Sequence, residues 1–207
     1  MLITFEGIDG CGKSTQIKLL EELFNKRNIR YSIFREPGGV AISEKIRELL
    51  LDAGNRIDPV TELLLFSSAR SQLVAETVIP LLNEKTVVIL DRFYDSTTAY
   101  QGYGRGFENM ETIHRLNEIA SHGISPDVTY YLSIPLEEAI KRRSGQSEDR
   151  MEKSGIEFFK RVIRGFETLA ETESRIVRLD ALKEPHEVHA DLLADLSSRF
   201  SGLKVSG

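Results

Sequence analysis

The order of segments in this 207-residue chain predicts an α/β fold, a five-stranded parallel sheet in three layers with helices on both faces. Two observations carry that expectation. Short apolar runs of strand length alternate with longer segments of helical period, and parallel strands need such crossovers, which cover both faces of the sheet. Polar and charged residues gather directly after the apolar runs, and ligands of open parallel sheets sit beyond the carboxyl ends of the strands.

The first run, Leu2-Ile3-Thr4-Phe5, stops at Glu6-Gly7 and reads as a buried strand. Over 14–27, Ile17, Leu20 and Phe24 share one face, with Leu19 and Leu23 beside them. Lys18, Glu22 and Lys26 recur every fourth residue outside, so the segment reads as an amphipathic helix. A strand is expected over 30–34, followed by Arg35-Glu36-Pro37-Gly38-Gly39. Helices are expected over 41–52 and 59–83, the second opening on Pro59, which suits a first helical turn. Thr86-Val87-Val88-Ile89-Leu90 is the strongest strand signal and runs into Asp91-Arg92. Strands over 128–134 and 175–179 complete the five, and helical patterns fill 109–121, 135–143, 156–172 and 185–200. At roughly 100–200 residues per domain, 1–207 is expected to be a single domain.

Composition narrows the classes. With 41% hydrophobic and 29% charged residues the chain is not of disordered type. Its 27 Lys+Arg against 32 Asp+Glu give a net charge of −5, which argues against a nucleic-acid-coating surface. No run approaches the ~18 apolar residues of a membrane span. The opening MLITFEGIDG lacks a basic leader region, so no signal peptide is expected. One cysteine excludes an internal disulfide, and a cytoplasmic location is the expectation.

Residues 7–14, GIDGCGKS, fit G-x-x-x-x-G-K-[ST] between a strand and a helix, the signature of a phosphate-binding P-loop. Gly7, Gly10 and Gly12 let the backbone approach oxygen atoms, and the free N–H groups of the helix start favour an anion. Lys13 adds charge at the terminal phosphates, and the Ser14 hydroxyl can ligate Mg²⁺. A GTPase switch would need a guanine-reading N-K-x-D; the only Asn-Lys pair, Asn25-Lys26, is followed by Arg27-Asn28. Asp91 at a strand end can hold Mg²⁺, and Arg92 can grip a phosphate through two hydrogen bonds. Two gripping stations, Lys13 and Arg92, suggest two phosphorylated ligands facing each other.

FEGIDGCGKST, FREPGG (34–39), LLFSSAR (64–70), LDRFYDSTTAYQGYGR (90–105) and DRME (149–152) together resemble the thymidylate kinase family, in the expected order and over nearly the whole chain. The resemblance implies a P-loop NTPase fold with a short lid at about 141–155, transfer of the γ-phosphoryl of ATP to dTMP with Mg²⁺, and a homodimer. It implies ATP contacts from Gly7, Ile8, Asp9, Gly10, Cys11, Gly12, Lys13, Ser14 and Thr15, with Arg142 stacking on adenine. Metal contacts fall to Ser14 and Asp91. For dTMP it implies Asp9 at the sugar 3′-hydroxyl, Phe66 stacked on the base and Arg70 at its acceptor edge. Arg92 would hold the 5′-phosphate, with Arg35 as helper. Glu36 and Pro37 would line the pocket with Ser96, Thr97 and Gln101, which fall on the loop and turn expected after Asp91-Arg92, and Tyr100 of the same stretch would stand against ribose. Phe66 and Arg70 are four apart, hence on one helical face.

Residues 141–155, KRRSGQSEDRMEKSG, hold eight charged residues and one apolar one, so they read as a solvated loop or a charged lid. Family members place the key arginine either in the phosphate loop or in the lid. With Cys11 between Gly10 and Gly12, this chain resembles the bacterial, lid-arginine type. Arg143 and Arg150 are then the candidates for contact with the transferred group, joining Lys13, Asp91 and Arg92 as catalytic residues. A related kinase for another nucleoside monophosphate, or a non-catalytic nucleotide switch, are the competing readings. The Gly/Ser-containing tail 201–207 is expected to fray.

Overall fold

The computed structural model describes residues 1–145, 149–200 and 202–203. Five strands, β1 (Leu2–Glu6), β2 (Tyr31–Arg35), β3 (Val87–Asp91), β4 (Val128–Ser133) and β5 (Ile176–Asp180), form one sheet in the order β2-β3-β1-β4-β5. Every pairing is parallel. β1 is the central strand, with Phe5 opposite Asp91 on one side and Tyr130 on the other. All five of its residues are buried, as a strand covered on both faces requires.

Alternation along the strands sorts the helices into two outer layers. Tyr130 donates from its hydroxyl to Asp195 of α9 (Pro185–Arg199), at 3.1 Å. Its neighbour Tyr131 points the other way and stacks on Phe166 of α8 (Ile156–Thr172), with centroids 5.2 Å apart. Leu20 and Phe24 of α1 (Lys13–Lys26) pack on the first side with Ile3 and Phe5. On the second side Leu2, Val88 and Leu90 pack under Leu73, Val74, Val78 and Phe93. Asn109 caps α6 (Met110–Ala120) by accepting from the Thr112 N–H at 3.2 Å. Among the described residues no helix is long and apolar enough to cross a membrane.

Two segments differ from the sequence expectation. The helix expected over 59–83 runs as α3 (Pro59–Leu73), widens into a π-turn at Val74–Val78, and ends as α4 (Ile79–Asn83). Pro80 explains it: proline has no N–H for the carbonyl four residues back and crowds it, and widening one turn earlier relieves both. The residues after Arg92, expected as loop and turn, are helical instead. They form a short α5 (Tyr94–Thr97) and a second π-turn over Thr98–Gly104, which packs on α8. Gly104 and Gly165 allow that packing: a Cβ at Gly104 would meet Phe158 at 2.7 Å, and one at Gly165 would meet Tyr103 at 2.9 Å. The remaining helices are α2 (Ala41–Leu51) and α7 (Leu136–Arg142). Of the expected lid, 146–148 lie outside the described residues, as do 201 and 204–207 of the tail.

Candidate active site

β1 delivers the chain into the loop of residues 7–12 at the carboxyl edge of the sheet. Gly7 has φ +133°, and a Cβ there would meet Cys11 Sγ and the Leu132 carbonyl at 2.8 Å each. Only glycine fits so close an approach. Lys13 curls back over the loop; its Nζ donates to the carbonyls of Gly7 (3.0 Å) and Ile8 (3.4 Å) and lies 3.7 Å from Asp9. Gly7 and Ile8 thus stand behind the loop, while Asp9 to Gln16 line a cleft of about 750 Å³. Its further walls include Arg35, Asp91, Arg92, Arg142, Arg143 and the segment from Ala181 to Pro185. Cys11 is buried, and burial pushes its thiol above the ordinary value.

A second cavity, of about 230 Å³, opens beside the first. It is lined by Pro37, Phe66, Arg70, Phe93, Ser96, Thr97, Tyr100, Gln101 and Met151, among others. Asp9, Glu36, Arg47, Arg92 and Glu152 line both, so the two cavities meet at the phosphate loop. The sequence-derived nucleoside residues gather in this smaller cavity, except Arg35. Arg35 lies on the larger cleft alone, paired with Glu44 at 3.0 Å.

Arg92 stands at the junction. Its backbone is left-handed, φ +73°, a strain of about 1–3 kcal/mol for a non-glycine residue. Its own N–H donates to the Phe5 carbonyl at 2.9 Å. Its guanidinium donates to Asp9 (2.8 Å), Ser96 (3.0 Å) and Tyr100 (3.2 Å), and lies 5.0 Å over the Tyr100 ring. Burial alone would raise the Asp9 carboxyl, but the charges of Arg92 and Lys13 outweigh it and hold Asp9 well below the usual carboxylate range. Burial pushes the Tyr100 hydroxyl far up, so it stays protonated.

Glu6 holds this turn in place and was not singled out from sequence. The last residue of β1, it accepts from the N–H groups of Phe93 (2.7 Å) and Ser96 (3.3 Å) and from the Ser96 hydroxyl (2.6 Å). Burial, then repulsion from Asp95, raise its pKa to about 7. The available signal was a carboxylate ending a strand that is otherwise apolar apart from Thr4.

α3 presents Glu62, Phe66 and Arg70 at successive fourth positions. Arg70, 2% exposed, donates to Glu36 (2.7 Å) and to Asn117 (3.4 Å), with its guanidinium 5.4 Å from the Phe93 ring centroid. Glu36 leaves its other oxygen buried without a partner, and burial raises its pKa to about 6 against the opposing charge of Arg70. Glu62 was also missed. It is 1% exposed and takes hydrogen bonds from Gln101, Arg105 and Arg150.

The charged segment splits. Arg143 lies against Gly10, where a Cβ would meet its Cγ at 3.1 Å, and it pairs with Glu152 at 2.5 Å on the wall of the cleft. Arg142 donates to the Ala181 carbonyl at 3.0 Å, at the far end of the cleft. Arg150 is not brought to the cleft; it donates to Glu62 and to the Leu50 carbonyl, each at 2.6 Å. Two residues could hold a divalent cation: Asp91 Oδ1 is buried with no partner, and Ser14 is exposed on the same cleft. That donor set, hard oxygens only, suits Mg²⁺. Among the described residues no cluster of three or more His, Cys, Asp or Glu could hold a metal by itself.

A family model described as thymidylate kinase matches residues 5–192. A thymidylate kinase of Chlorobaculum parvum is 47% identical to this chain over 209 residues, covering 96% of each protein. One of Pelodictyon phaeoclathratiforme is 48% identical and covers 97% of each. One of Caldanaerobacter subterraneus is 47% identical and covers 98% of each.

Proposed function

The chain belongs to the thymidylate kinase family, and on that premise we propose how its residues divide the work of an ATP:dTMP phosphotransferase. One observation carries the assignment: two cavities of unequal size that share a wall of charged residues at the phosphate loop. ATP occupies the larger, its phosphates on the loop and Lys13, its base toward Arg142 and the 181–185 segment. dTMP occupies the smaller, its base between Phe66 and Arg70 and its phosphate at Arg92. The two phosphates then meet where the cavities join.

The acceptor phosphate is already ionised near neutral pH, so the transfer needs positioning and charge neutralisation more than a general base. Lys13, Arg92 and Arg143 spread the charge that develops on the transferred group. Asp9, kept ionised by Arg92 and Lys13, accepts a hydrogen bond from the sugar 3′-hydroxyl. Ser14 and Asp91 would hold Mg²⁺, whose charge would help neutralise the donor phosphates. The segment at 141–155 acts as a lid that excludes water from the acceptor position.

A homodimer belongs to the same proposal. Ile42 and Leu49 of α2, Val60 and Leu64 of α3 and Ile119 of α6 are each about half exposed, on helices that pack side by side through α3. Exposed apolar residues on neighbouring helices suit a second copy of the chain.

The test is ADP release measured with dTMP, dUMP, dCMP, UMP and AMP as acceptors. Turnover dependent on dTMP, with UMP and AMP at least ~100-fold poorer in kcat/KM, is expected from a pocket that reads base and sugar together. Equal turnover with AMP would remove Phe66 and Arg70 from base recognition. Tight nucleotide binding without acceptor-dependent turnover would mark a switch.

A further inference from the structure

The family resemblance implies the same task for Arg150 and Arg143, contact with the transferred phosphoryl. Their surroundings separate them. Each nitrogen of the Arg150 guanidinium is engaged away from the cleft: Nε donates to the Leu50 carbonyl, one terminal nitrogen to Glu62, and the other to the Met151 sulfur at 3.4 Å. Its backbone N–H donates to the Leu51 carbonyl at 3.3 Å. Both carbonyls belong to the last turn of α2, where they lack helical partners.

Glu62 is the centre of this arrangement. Its Oε1 accepts from Gln101 and from Arg105 Nε, both at 3.0 Å, and its Oε2 from Arg105 (3.0 Å) and Arg150 (2.6 Å). The carboxylate is saturated, nine-tenths and more buried, and balanced by two guanidinium groups. The donors come from separate parts of the fold. Gln101 belongs to the π-turn that lines the smaller cavity, Arg105 follows that turn, and Arg150 lies in the charged segment. Next to Arg150, Asp149, Met151 and Glu152 line the smaller cavity, and Met151 is only 6% exposed.

From this geometry we infer that Glu62 is a positioning residue that latches Arg150, fixing residues 149–152 as a wall of the nucleoside cavity. Arg150 then governs how tightly the acceptor is held, and Arg143 alone of the two meets the transferred group. The inference rests on the reading of the smaller cavity as the dTMP site.

Arg150→Met and Glu62→Gln are compared with the unaltered enzyme. Methionine leaves Glu62 compensated by Arg105, and glutamine keeps the shape of the hub, so both variants are expected to fold. KM for dTMP rises ~10-fold or more in each, while kcat stays within ~5-fold and KM for ATP within ~2-fold, the pattern of lost uniform binding. The double variant falls well short of the product of the two single effects, because both break the Glu62–Arg150 contact. A ~100-fold fall in kcat of Arg150→Met with KM for dTMP unchanged overturns the inference, as do additive effects in the double variant.

A second readout needs no turnover. Amide hydrogen exchange at Arg150, Lys153 and Ser154, whose N–H groups bond to Leu51, Asp149 and Met151, is expected to quicken ~10-fold in both variants. Unchanged exchange overturns the latch. Absence of dTMP-dependent ADP release in the unaltered enzyme would instead refute the kinase assignment and leave the exchange result to decide the latch.

Discussion

On the proposed division of roles, Arg143→Met isolates the contribution of one cation to phosphoryl transfer. The stem of Arg143 packs against Gly10, and methionine preserves that contact. What leaves is the guanidinium, which pairs with Glu152 at 2.5 Å; the two side chains are 16% and 12% exposed. Loss of such a partly exposed pair costs about 1 kcal/mol in stability. For a chain of this length that lowers Tm by about 2–4 °C, so the enzyme stays folded at the assay temperature. Removing a preorganised charge at the transferred group costs about 2.7–4 kcal/mol, or 10²–10³ in kcat. The Glu152 carboxylate lines both cavities and would lose its cation, which should move the effect to the upper end of that range. KM for dTMP should hold within ~2-fold, since Arg143 does not line the smaller cavity. Steady-state ADP release at saturating ATP and dTMP, with a melting curve on the same preparation, reads all of these. A kcat within ~3-fold of the unaltered enzyme, with Tm lowered as expected, would refute the reasoning.

Tyr100→Phe should keep discrimination against ribose, because Phe158, Phe159 and Phe166 hold the ring edge-on. Tyr100→Ala should lower the dUMP/UMP ratio of kcat/KM ~10-fold or more, and an unchanged ratio would remove Tyr100 from sugar choice. Arg70→Met leaves Glu36 buried without its cation, a loss of about 3–5 kcal/mol by denaturant titration at pH 8. Since burial already raises Glu36 to about 6, the loss should shrink at pH 5, where the carboxyl is neutral; equal losses at both pH values would contradict this. Glu6, raised from 4.5 to about 7, binds its proton more tightly folded than unfolded. Its contribution therefore falls by roughly 3 kcal/mol as pH rises from 4.5 through 7. Glu6→Gln should flatten that fall, and a pH–stability curve parallel to that of the unaltered protein would refute it.

The five strands and the phosphate loop were legible because each is local. A strand needs only an apolar run, and the loop needs only its glycine spacing beside Lys13. The order β2-β3-β1-β4-β5 was not, since pairing across a sheet leaves no trace in any one segment. The stretch after Arg92 was read as loop because π-turn hydrogen bonding carries no apolar period of its own, and Gly102 and Gly104 mimic a turn. Phe66 and Arg70 came from their family motif together with a shared helical face. Glu62 sits one turn before them on the same face and escaped notice, because a glutamate near a helix start is read as a surface residue. Its burial follows from Arg105 and Arg150, which lie 43 and 88 residues away in sequence. Arg143 and Arg150 were indistinguishable in sequence, since only the fold pairs the first with the nearby Glu152 and sends the second to Glu62 on α3.

The central place of β1 has a consequence for how the chain is made. Its residues are made well before those they pair with, Val88 to Asp91 and Val128 to Tyr131. At ~5–20 residues per second, a ribosome needs roughly 6–25 s after making β1 before β4 exists to flank it. Throughout that interval the glycine loop has no Leu132 carbonyl to close against, and Lys13 has no fixed cleft to enter. A nascent chain released early therefore carries the phosphate-binding motif without the means to bind phosphate. The nucleotide site becomes competent only after β4 has been made and has docked beside β1.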